Sequence, residues 1–350
     1  MSIGLLLVLT SLGSATEVTW SGGGHAADPQ WSPDGNWLAF EVNNNADKVD
    51  LYLVRMNNGI PSGPAARVVI PGGGSSFSAS GSYTANPVWV PGGGLFFEAS
   101  NPGGTTRIYY MTPGGASPVE YLASSAAPGM LGWPAVSSDG SKVVFTSGAS
   151  GGGDVYLHDR TANKVTAAFH TDTSENSPRF CSDNSTVVFS RKNYGTEDIF
   201  SWKLGTTEST PIKGATGSGD QTRPYCQGDK VIFFTDTRGD EHWDIGVVPV
   251  AGGDVTVLAR DVRLPLRSTP SLTPDGLSLL YTSSSPSQDN LVFVTRLDGT
   301  GTKTYNTGLS AVGEPDLVVV GGHTYLTFTA LPAQGADWRQ LHVVDVTGQL

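Results

Sequence analysis

The sequence predicts an all-β protein: a seven-bladed β-propeller with four antiparallel strands in each blade. The first observation behind this prediction is a phrase that recurs seven times, each copy opening on a proline. The anchor prolines are Pro29, Pro87, Pro134, Pro178, Pro224, Pro270 and Pro315, with spacings of 58, 47, 44, 46, 46 and 45 residues. The second is that each copy holds short alternating apolar runs between turn signals, with no convincing helix. Four strands in a period of this length are typical of propeller blades, whereas a β-sandwich array does not repeat its turn phrase at one period.

Residues 1–15 read MSIGLLLVLTSLGSA and precede the first copy. An apolar run followed by small residues is the pattern of a secretory signal peptide with its cleavage site, and the run is too short for an ordinary transmembrane helix. The absence of Lys and Arg before the run leaves a second interpretation, a buried N-terminal strand. We therefore expect a signal peptide at 1–15, a single propeller domain at 16–350, and a periplasmic or secreted protein.

The first two strands of each copy are predicted to form a hairpin. In the clearest copy residues 29–35 read PQWSPDG and residues 37–40 read WLAF. Pro presets the turn, Asp caps its own backbone and Gly supplies a positive φ. A third run follows a polar loop, as in DLYLV at 50–54, and a fourth, short run closes the copy.

The seventh copy lacks a fourth run, because the chain ends soon after the apolar segment at 340–346. An open sheet edge is a template for aggregation, so a ring must cover it. We predict that residues 17–20, EVTW, complete blade seven from the other end of the chain.

The longest spacing contains the Gly/Ser-rich segment 71–85, PGGGSSFSASGSYTA. This composition indicates a loop inserted between blades one and two. We favour a solvent-exposed loop without a binding role over a loop that binds a ligand.

Charge excludes one class of partner. The formal net charge is −11, with 21 Lys and Arg against 32 Asp and Glu. Nucleic-acid binding needs clustered cations, so we expect no nucleic-acid partner. No apolar run reaches the roughly 18 residues of a membrane-spanning helix, so the chain is not predicted to span a membrane.

The chain has two cysteines, Cys181 and Cys226, three and two residues after their anchor prolines. Consecutive strand positions point to opposite faces. If Cys181 faces blade five, Cys226 faces blade four, and a disulfide between the blades is a hypothesis that an oxidising compartment would allow.

The phrases PQWSPDG…WLAF…DLYLV and PSLTPDG…LLYTS resemble the repeat of TolB-like propellers, and the resemblance covers nearly the whole chain after residue 16. It implies the fold but does not specify an activity. The same repeat occurs in TolB itself, in oligogalacturonate lyases and in the propellers of prolyl-oligopeptidase-like peptidases. Family lyases are thought to use a histidine-rich metal centre, but this sequence contains no HxH or HxxH pair to carry those ligands over.

Candidate binding residues follow from the propeller topology, because loops entering the inner strands share one face with loops joining strands two and three. This face is where a ligand would bind. The candidates at the channel mouth are His25, Asp28, Asn86, Trp133, Glu175, Asp220, Arg223, His242, Arg267 and Glu314. We predict no catalytic residue and no cofactor. Binding of a divalent cation in the channel is kept as an alternative.

The expected function is a non-catalytic scaffold that binds a protein or a glycan, as an accessory subunit of a cell-envelope complex. The alternative is a carbohydrate-active enzyme, an oligogalacturonate-lyase-like polysaccharide lyase or a hydrolase, acting at the channel mouth. Charge weighs against the lyase, because a protein of net charge −11 repels polyuronates unless basic residues cluster locally.

Overall fold

The computed structural model describes residues 9–43, 48–71, 77–78, 86–100, 104–150, 152–169, 171–193, 195–238, 242–265, 270–332 and 337–349. These residues form seven sheets, and within each blade consecutive strands pair, while the two N-terminal strands join the sheets of the last two blades. The seven-bladed propeller is therefore confirmed. Each sheet contributes four antiparallel strands to its blade. Hydrophobic clusters lie between neighbouring blades, as in the group of Leu51, Phe97 and Tyr109 from blades one and two.

The strands follow one another along the chain, blade by blade. Two strands precede the first blade: β1 (Leu9–Ser11) and β2 (Thr16–Val18). Blade one holds β3 (His25–Trp31), β4 (Trp37–Asn43), β5 (Lys48–Asn57), β6 (Ile60–Pro61), β7 (Ala66–Arg67) and β8 (Phe77–Ser78). Blade two holds β9 (Val88–Trp89), β10 (Leu95–Ser100), β11 (Thr106–Met111) and β12 (Val119–Glu120). Blade three holds β13 (Leu131–Val136), β14 (Lys142–Ser147), β15 (Asp154–Asp159) and β16 (Lys164–Ala167).

The remaining blades follow the same plan. Blade four holds β17 (Ser174–Phe180), β18 (Thr186–Asn193), β19 (Thr196–Lys203) and β20 (Ser209–Pro211). Blade five holds β21 (Gln221–Gln227), β22 (Lys230–Thr235), β23 (Trp243–Pro249) and β24 (Thr256–Val262). Blade six holds β25 (Ser271–Leu272), β26 (Ser278–Thr282), β27 (Leu291–Arg296) and β28 (Thr302–Asn306). Blade seven holds β29 (Ser310–Val320), β30 (His323–Leu331) and β31 (Gln340–Asp345). Short 3-10 turns span Gly148–Ser150 and Pro286–Gln288.

The ring closes as the sequence predicts. Strand β2 pairs antiparallel with β31, with Val18 opposite Leu341. Val18 is fully buried in the cluster that joins blades seven and one. The closing strand ends at Val18, two residues earlier than expected, because Trp20 instead forms a bridge with Ala65 of blade one.

The segment before the closing strand also contacts the ring. Strand β1 lies parallel to β28 on the outer edge of blade six, with Leu9 opposite Thr304. Leu12 and Ala15 pack against the cluster between blades six and seven. Cleavage after Ala15 would remove β1 and leave β2 intact; the signal peptide itself stays a prediction.

Within the inserted segment 71–85, the described residues Phe77 and Ser78 pair with β5 of blade one, with Val49 opposite Phe77. The segment therefore contributes two residues of strand where a loop is expected. Residues 72–76 and 79–85 lie outside the described residues.

The hairpin turns form as predicted. In blade one the Ser32 hydroxyl donates to Asp34 Oδ1 at 2.6 Å, and the Gly35 N–H donates to the Ser32 carbonyl at 2.9 Å. Gly35 has φ +68°, and a Cβ there would meet the Val320 side chain of blade seven, so the turn needs glycine for both reasons.

The recurring aspartate at the start of the third strand has a structural role. Asp154 Oδ1 accepts the Thr171 N–H at 3.2 Å. Asp198 and Asp244 accept the Gly217 and Asp261 N–H groups in the same way, at 2.9 and 3.1 Å. Each carboxylate thus satisfies a backbone donor at the end of the fourth strand of its blade or in the segment that follows it.

A β-bulge marks the inner strands. The pairing register shifts by one residue around the anchor proline in β3, β13, β17, β21 and β29. The residue directly before an anchor proline has a positive φ of 42–53° in six blades: Asp28, Asn86, Trp133, Ser177, Arg223 and Glu314. Residues other than glycine are uncommon in this region, and such strain tends to concentrate at functional sites.

Carboxylates of the neighbouring blade hold the backbone at three of these positive-φ residues. The Asn86 N–H donates to Glu41 Oε1 at 2.8 Å, and the Trp133 N–H donates to Glu98 Oε1 at 2.6 Å. The Asp28 N–H donates to Glu314 Oε2 at 2.8 Å, which joins blade one to blade seven. The N–H groups that the bulge removes from the ladder are therefore satisfied across the blade boundary.

The predicted disulfide is confirmed. Cys181 and Cys226 are bonded, with their Cα atoms 4.8 Å apart, and they join the inner strands of blades four and five. The alternation of side chains along the two strands does bring them to the same blade boundary.

Candidate functional site

A continuous channel runs along the inner strands at the centre of the ring. It consists of two cavities of about 340 and 440 Å³. Both are lined by Asp28, Gln30, Tyr225 and Gln227, so they form one space. The channel runs from the bulges near one face toward the hairpin turns on the other, reaching Asp275.

The residue after each anchor proline lines the channel and determines the chemistry of its wall. These residues are Gln30, Val88, Ala135, Arg179, Tyr225, Ser271 and Asp316. In three of the blades this position carries a charged side chain or a phenol. None of these seven residues is among the sequence candidates. The recurring position after the proline is the signal that could have identified them.

Two carboxyl groups of the channel have strongly raised pKa values. Burial is the main cause at Asp28, with repulsion from Glu314 added, and it raises the pKa to about 7 even though Gln30 Nε2 donates to Asp28 Oδ1 at 3.1 Å. Burial also raises the pKa of Asp316 to about 6, against hydrogen bonds from the Leu317 and Trp31 N–H groups. Both carboxyl groups are therefore partly protonated near neutral pH.

Arg179 is the cation of the channel wall. Burial lowers its pKa, while the negative charge of Asp28 favours the charged form. Its Nη1 donates to the Pro178 carbonyl at 3.0 Å, and among the described residues it forms no ion pair within 4.0 Å. The channel thus holds a guanidinium on blade four that is attracted to a carboxyl group on blade one without contacting it.

Replacing Asp28 by asparagine is expected to stabilise the fold above pH 7. A raised pKa in the folded state contributes stability below the unfolded value of 3.8, and that contribution is lost as the pH rises through about 7. Asparagine keeps the shape and removes the charge, so the gain in melting temperature should be present at pH 8 and absent near pH 4. Thermal unfolding of both proteins across this range measures it. A gain that does not depend on pH would contradict the assignment.

The face of the ring that carries the bulges and the loops between strands two and three is called the mouth face. On it, His25 Nδ1 accepts the Arg339 N–H at 3.1 Å, and the His25 ring lies edge-on to Trp338 with centroids 5.0 Å apart. Burial and Arg339 lower the pKa of His25, so this imidazole stays neutral and accepts at Nδ1. Trp338, His25 and Trp133 are all half-buried.

Guanidinium groups occupy the mouth face between blades five and seven. Arg223 donates to the Pro265 carbonyl. Burial and the like charge of Arg263 lower the pKa of Arg339, while Glu314 opposes that effect. The buried Nε of Arg263 has no hydrogen-bond partner among the described residues. Arg263 and Arg339 thus give an acidic protein two neighbouring guanidinium groups, with the carboxylate of Glu314 close to them.

The structure brings only some of the sequence candidates to the channel. Asp28, Asn86 and Glu314 line it. Trp133, Arg223 and His25 lie on the mouth face. His242 is exposed, and its carbonyl accepts a hydrogen bond from Arg238. Arg267 lies outside the described residues.

Two further candidates are occupied by structural contacts. Glu175 Oε1 accepts from Arg191 Nε at 2.9 Å, and Arg191 lies over the Phe200 ring at 4.3 Å, so this buried ion pair fills the interior of blade four away from the channel. Asp220 accepts the Glu197 N–H at 2.8 Å, which ties the entry of blade five to blade four.

A divalent cation finds no ready site in the described part of the chain. No group of three or more His, Cys, Asp or Glu side chains there is arranged to hold a metal ion. His170 and Glu241 lie outside the described residues. The described residues therefore do not fit the histidine-rich metal centre that the family resemblance raises.

The compartment is indicated by one covalent feature. A disulfide is typical of proteins outside the reducing cytoplasm. Among the helices described, none has the length and apolar character needed to cross a membrane.

Comparison with known proteins gives both a family and a fold. A family profile described as "TolB beta propeller domain" matches residues 119–312, more than half of the chain. No curated protein matches the sequence. Several solved structures are similar at low identity, which shows the fold alone.

An oligogalacturonate lyase solved in complex with manganese is 13% identical, with a TM-score of 0.64 over 97% of this chain and 98% of that one. The oligogalacturonate lyase of Vibrio parahaemolyticus is 12% identical, with a TM-score of 0.61 over 95% and 91%. A putative TolB from Agrobacterium tumefaciens is 19% identical, with a TM-score of 0.54 over 73% and 89%.

Proposed function

Because the chain belongs to the family of TolB beta propeller domains, we propose that it is a non-catalytic binding protein of the periplasm or the cell exterior, whose mouth face docks a protein or a glycan of the cell envelope. The observation that carries the proposal is the mouth face itself. Half-buried Trp133 lies there on blade three, half-buried Trp338 packs against a neutral histidine, and guanidinium groups lie between blades five and seven. Tryptophan and arginine are the side chains that most often dominate binding energy at interfaces.

Contacts with neighbouring residues fix the backbone of Trp133 and the ring of Trp338. Trp133 sits on a bulge with φ +53°, and Glu98 of the neighbouring blade fixes its N–H. Trp338 packs edge-on to His25, whose Nδ1 accepts a hydrogen bond from the Arg339 N–H. Side chains that are already held in place lose little conformational freedom on binding, which favours affinity.

Removing the two tryptophan side chains should abolish binding without unfolding the ring. We expect Trp133→Ala with Trp338→Ala to weaken capture of the native envelope partner, or binding to a glycan array, by at least about tenfold. The matched control is Leu277→Ala, which removes an exposed apolar side chain that is 53% exposed and belongs to the hairpin turn of blade six, on the opposite face. If the control and the double variant bind alike, the mouth face is not the docking surface.

A second candidate, the polysaccharide lyase, is supported by two observations. The oligogalacturonate lyases match this chain over nearly its whole length. The cluster of Arg223, Arg263 and Arg339 would suit an anionic sugar acid. Incubation with oligogalacturonate, with and without added manganese, tests it. Growth of the ultraviolet absorbance of an unsaturated uronate would establish the lyase and overturn the non-catalytic proposal.

A further inference from the structure

The central channel has a charge pattern that docking on the mouth face does not use. Arg179 on blade four and Asp28 on blade one project into the same cavity, near enough for each to influence the ionisation of the other. They form no ion pair within 4.0 Å among the described residues. In a ring of seven, blades one and four lie on opposite sides. The space between a guanidinium and a carboxylate is therefore open.

A second residue with similar hydrogen-bonding chemistry lies beside each of these two charged groups. Beside Arg179 lies Tyr225, whose pKa burial raises, so that its hydroxyl stays protonated and can donate. The described residues provide that hydroxyl with no hydrogen-bond partner. Near Asp28 lie Glu314, whose Oε2 accepts the Asp28 N–H, and Asp316, and the charges of both raise the pKa of Asp28 further. One wall thus offers two donors for an anion, and the other offers carboxyl groups for a cation.

We infer that the channel binds a small zwitterion, an α-amino acid or a short peptide, with its carboxylate held by Arg179 and Tyr225 and its ammonium group held by Asp28 and Asp316. A carboxylate accepts from a guanidinium and a phenol at the same time. The larger cavity, of about 440 Å³, is lined by Arg179, Tyr225 and Asp28, and Asp316 lines the smaller cavity that shares Asp28 and Tyr225 with it. The larger cavity has ample room for such a ligand, and the rings of Trp89 and Phe180 on its wall would contact an apolar side chain.

The protonation of the two carboxyl groups supports the assignment. With pKa values of about 7 and about 6, Asp28 and Asp316 carry protons in part near neutral pH. An ammonium group beside them favours the ionised forms. Binding at pH 6.5 should therefore release protons, and the measured heat should depend on the ionisation enthalpy of the buffer.

Isothermal titration of the purified full chain with phenylalanine, leucine and glycylglycine tests the inference. Comparing the affinities for the two amino acids with the affinity for the dipeptide shows which kind of ligand is preferred. N-acetylphenylalanine lacks the ammonium group and phenylalanine amide lacks the carboxylate, so each should bind at least about tenfold more weakly than phenylalanine. Equal binding of these two derivatives and phenylalanine, or no binding of any zwitterion at millimolar concentration, would overturn the inference.

Variants test which residue binds the carboxylate of the ligand and which binds its ammonium group. Arg179→Gln should weaken the binding of phenylalanine by at least about tenfold and leave the binding of phenylalanine amide unchanged. Asp28→Asn should weaken the binding of phenylalanine to the same extent and leave the binding of N-acetylphenylalanine unchanged. The controls are Arg55→Gln and Asp254→Asn, because both side chains are exposed and neither lines the channel. Circular dichroism confirms that each variant is folded. The inference does not depend on the proposed function: loss of partner capture with intact zwitterion binding would contradict only the docking proposal.

Discussion

Replacing Val18 by aspartate should open the ring. Val18 is fully buried, in one cluster with Leu341, Leu38 and Phe40, and the strand that carries it has only three residues. A carboxylate at this place would lose its water without gaining a partner, so we expect a loss of at least about 4 kcal/mol in the free energy of unfolding. Detachment of β2 would also leave β31 as an unpaired edge, and unpaired edges associate with one another.

Denaturant unfolding measures the loss of stability, and size-exclusion chromatography detects the association. The matched control is Glu17→Lys on the same strand, because that side chain is exposed and a change of its charge should leave stability within about 0.5 kcal/mol. A Val18→Asp protein that is monomeric and as stable as the control would show that the closing strand is dispensable.

This closure could be predicted from the sequence because the period leaves one blade a strand short. Seven anchor prolines fix the number of blades, and the missing fourth run in the last copy demands a strand from elsewhere. The pairing of Cys181 with Cys226 followed in the same way, because the alternation of side chains along a strand decides which neighbouring blade each cysteine faces.

The channel could not be predicted so directly. Arg179, Tyr225 and Asp316 line the channel from three different blades. The period of the sequence marks their shared position after the anchor proline, but it does not show that this position points inward. The bulge at Asp28 is the main physical reason. It inserts one residue before the proline, shifts the register, and so changes which side chains reach the channel.

The same limit explains Glu175. Its place at the entry to an inner strand made it a candidate, but local packing decides its role. The guanidinium of Arg191, itself stacked on Phe200, reaches its carboxylate at 2.9 Å and occupies it. Position in a repeat therefore predicts the face of the ring better than it predicts which side chains are available to a ligand.

Removing the disulfide should cost nearly as much as opening the ring. The bond joins residues 45 positions apart in sequence, and a crosslink that closes a loop of this length restricts the unfolded chain by about 4 kcal/mol in the chain-entropy account, with measured losses of about 2–4 kcal/mol typical. We therefore expect the variant with Cys181→Ser and Cys226→Ser to unfold at a markedly lower denaturant concentration than the parent protein.

The reducing agent supplies the control. It should lower the stability of the parent to near that of the double variant and leave the double variant unchanged, since that protein has no disulfide left to reduce. Equal stability of parent and double variant in the absence of reductant would contradict the prediction. Because both cysteines line the larger channel cavity beside Arg179 and Tyr225, zwitterion binding should weaken along with stability in the double variant. That shared loss would show that the bond also holds the anion-binding wall of the channel in place.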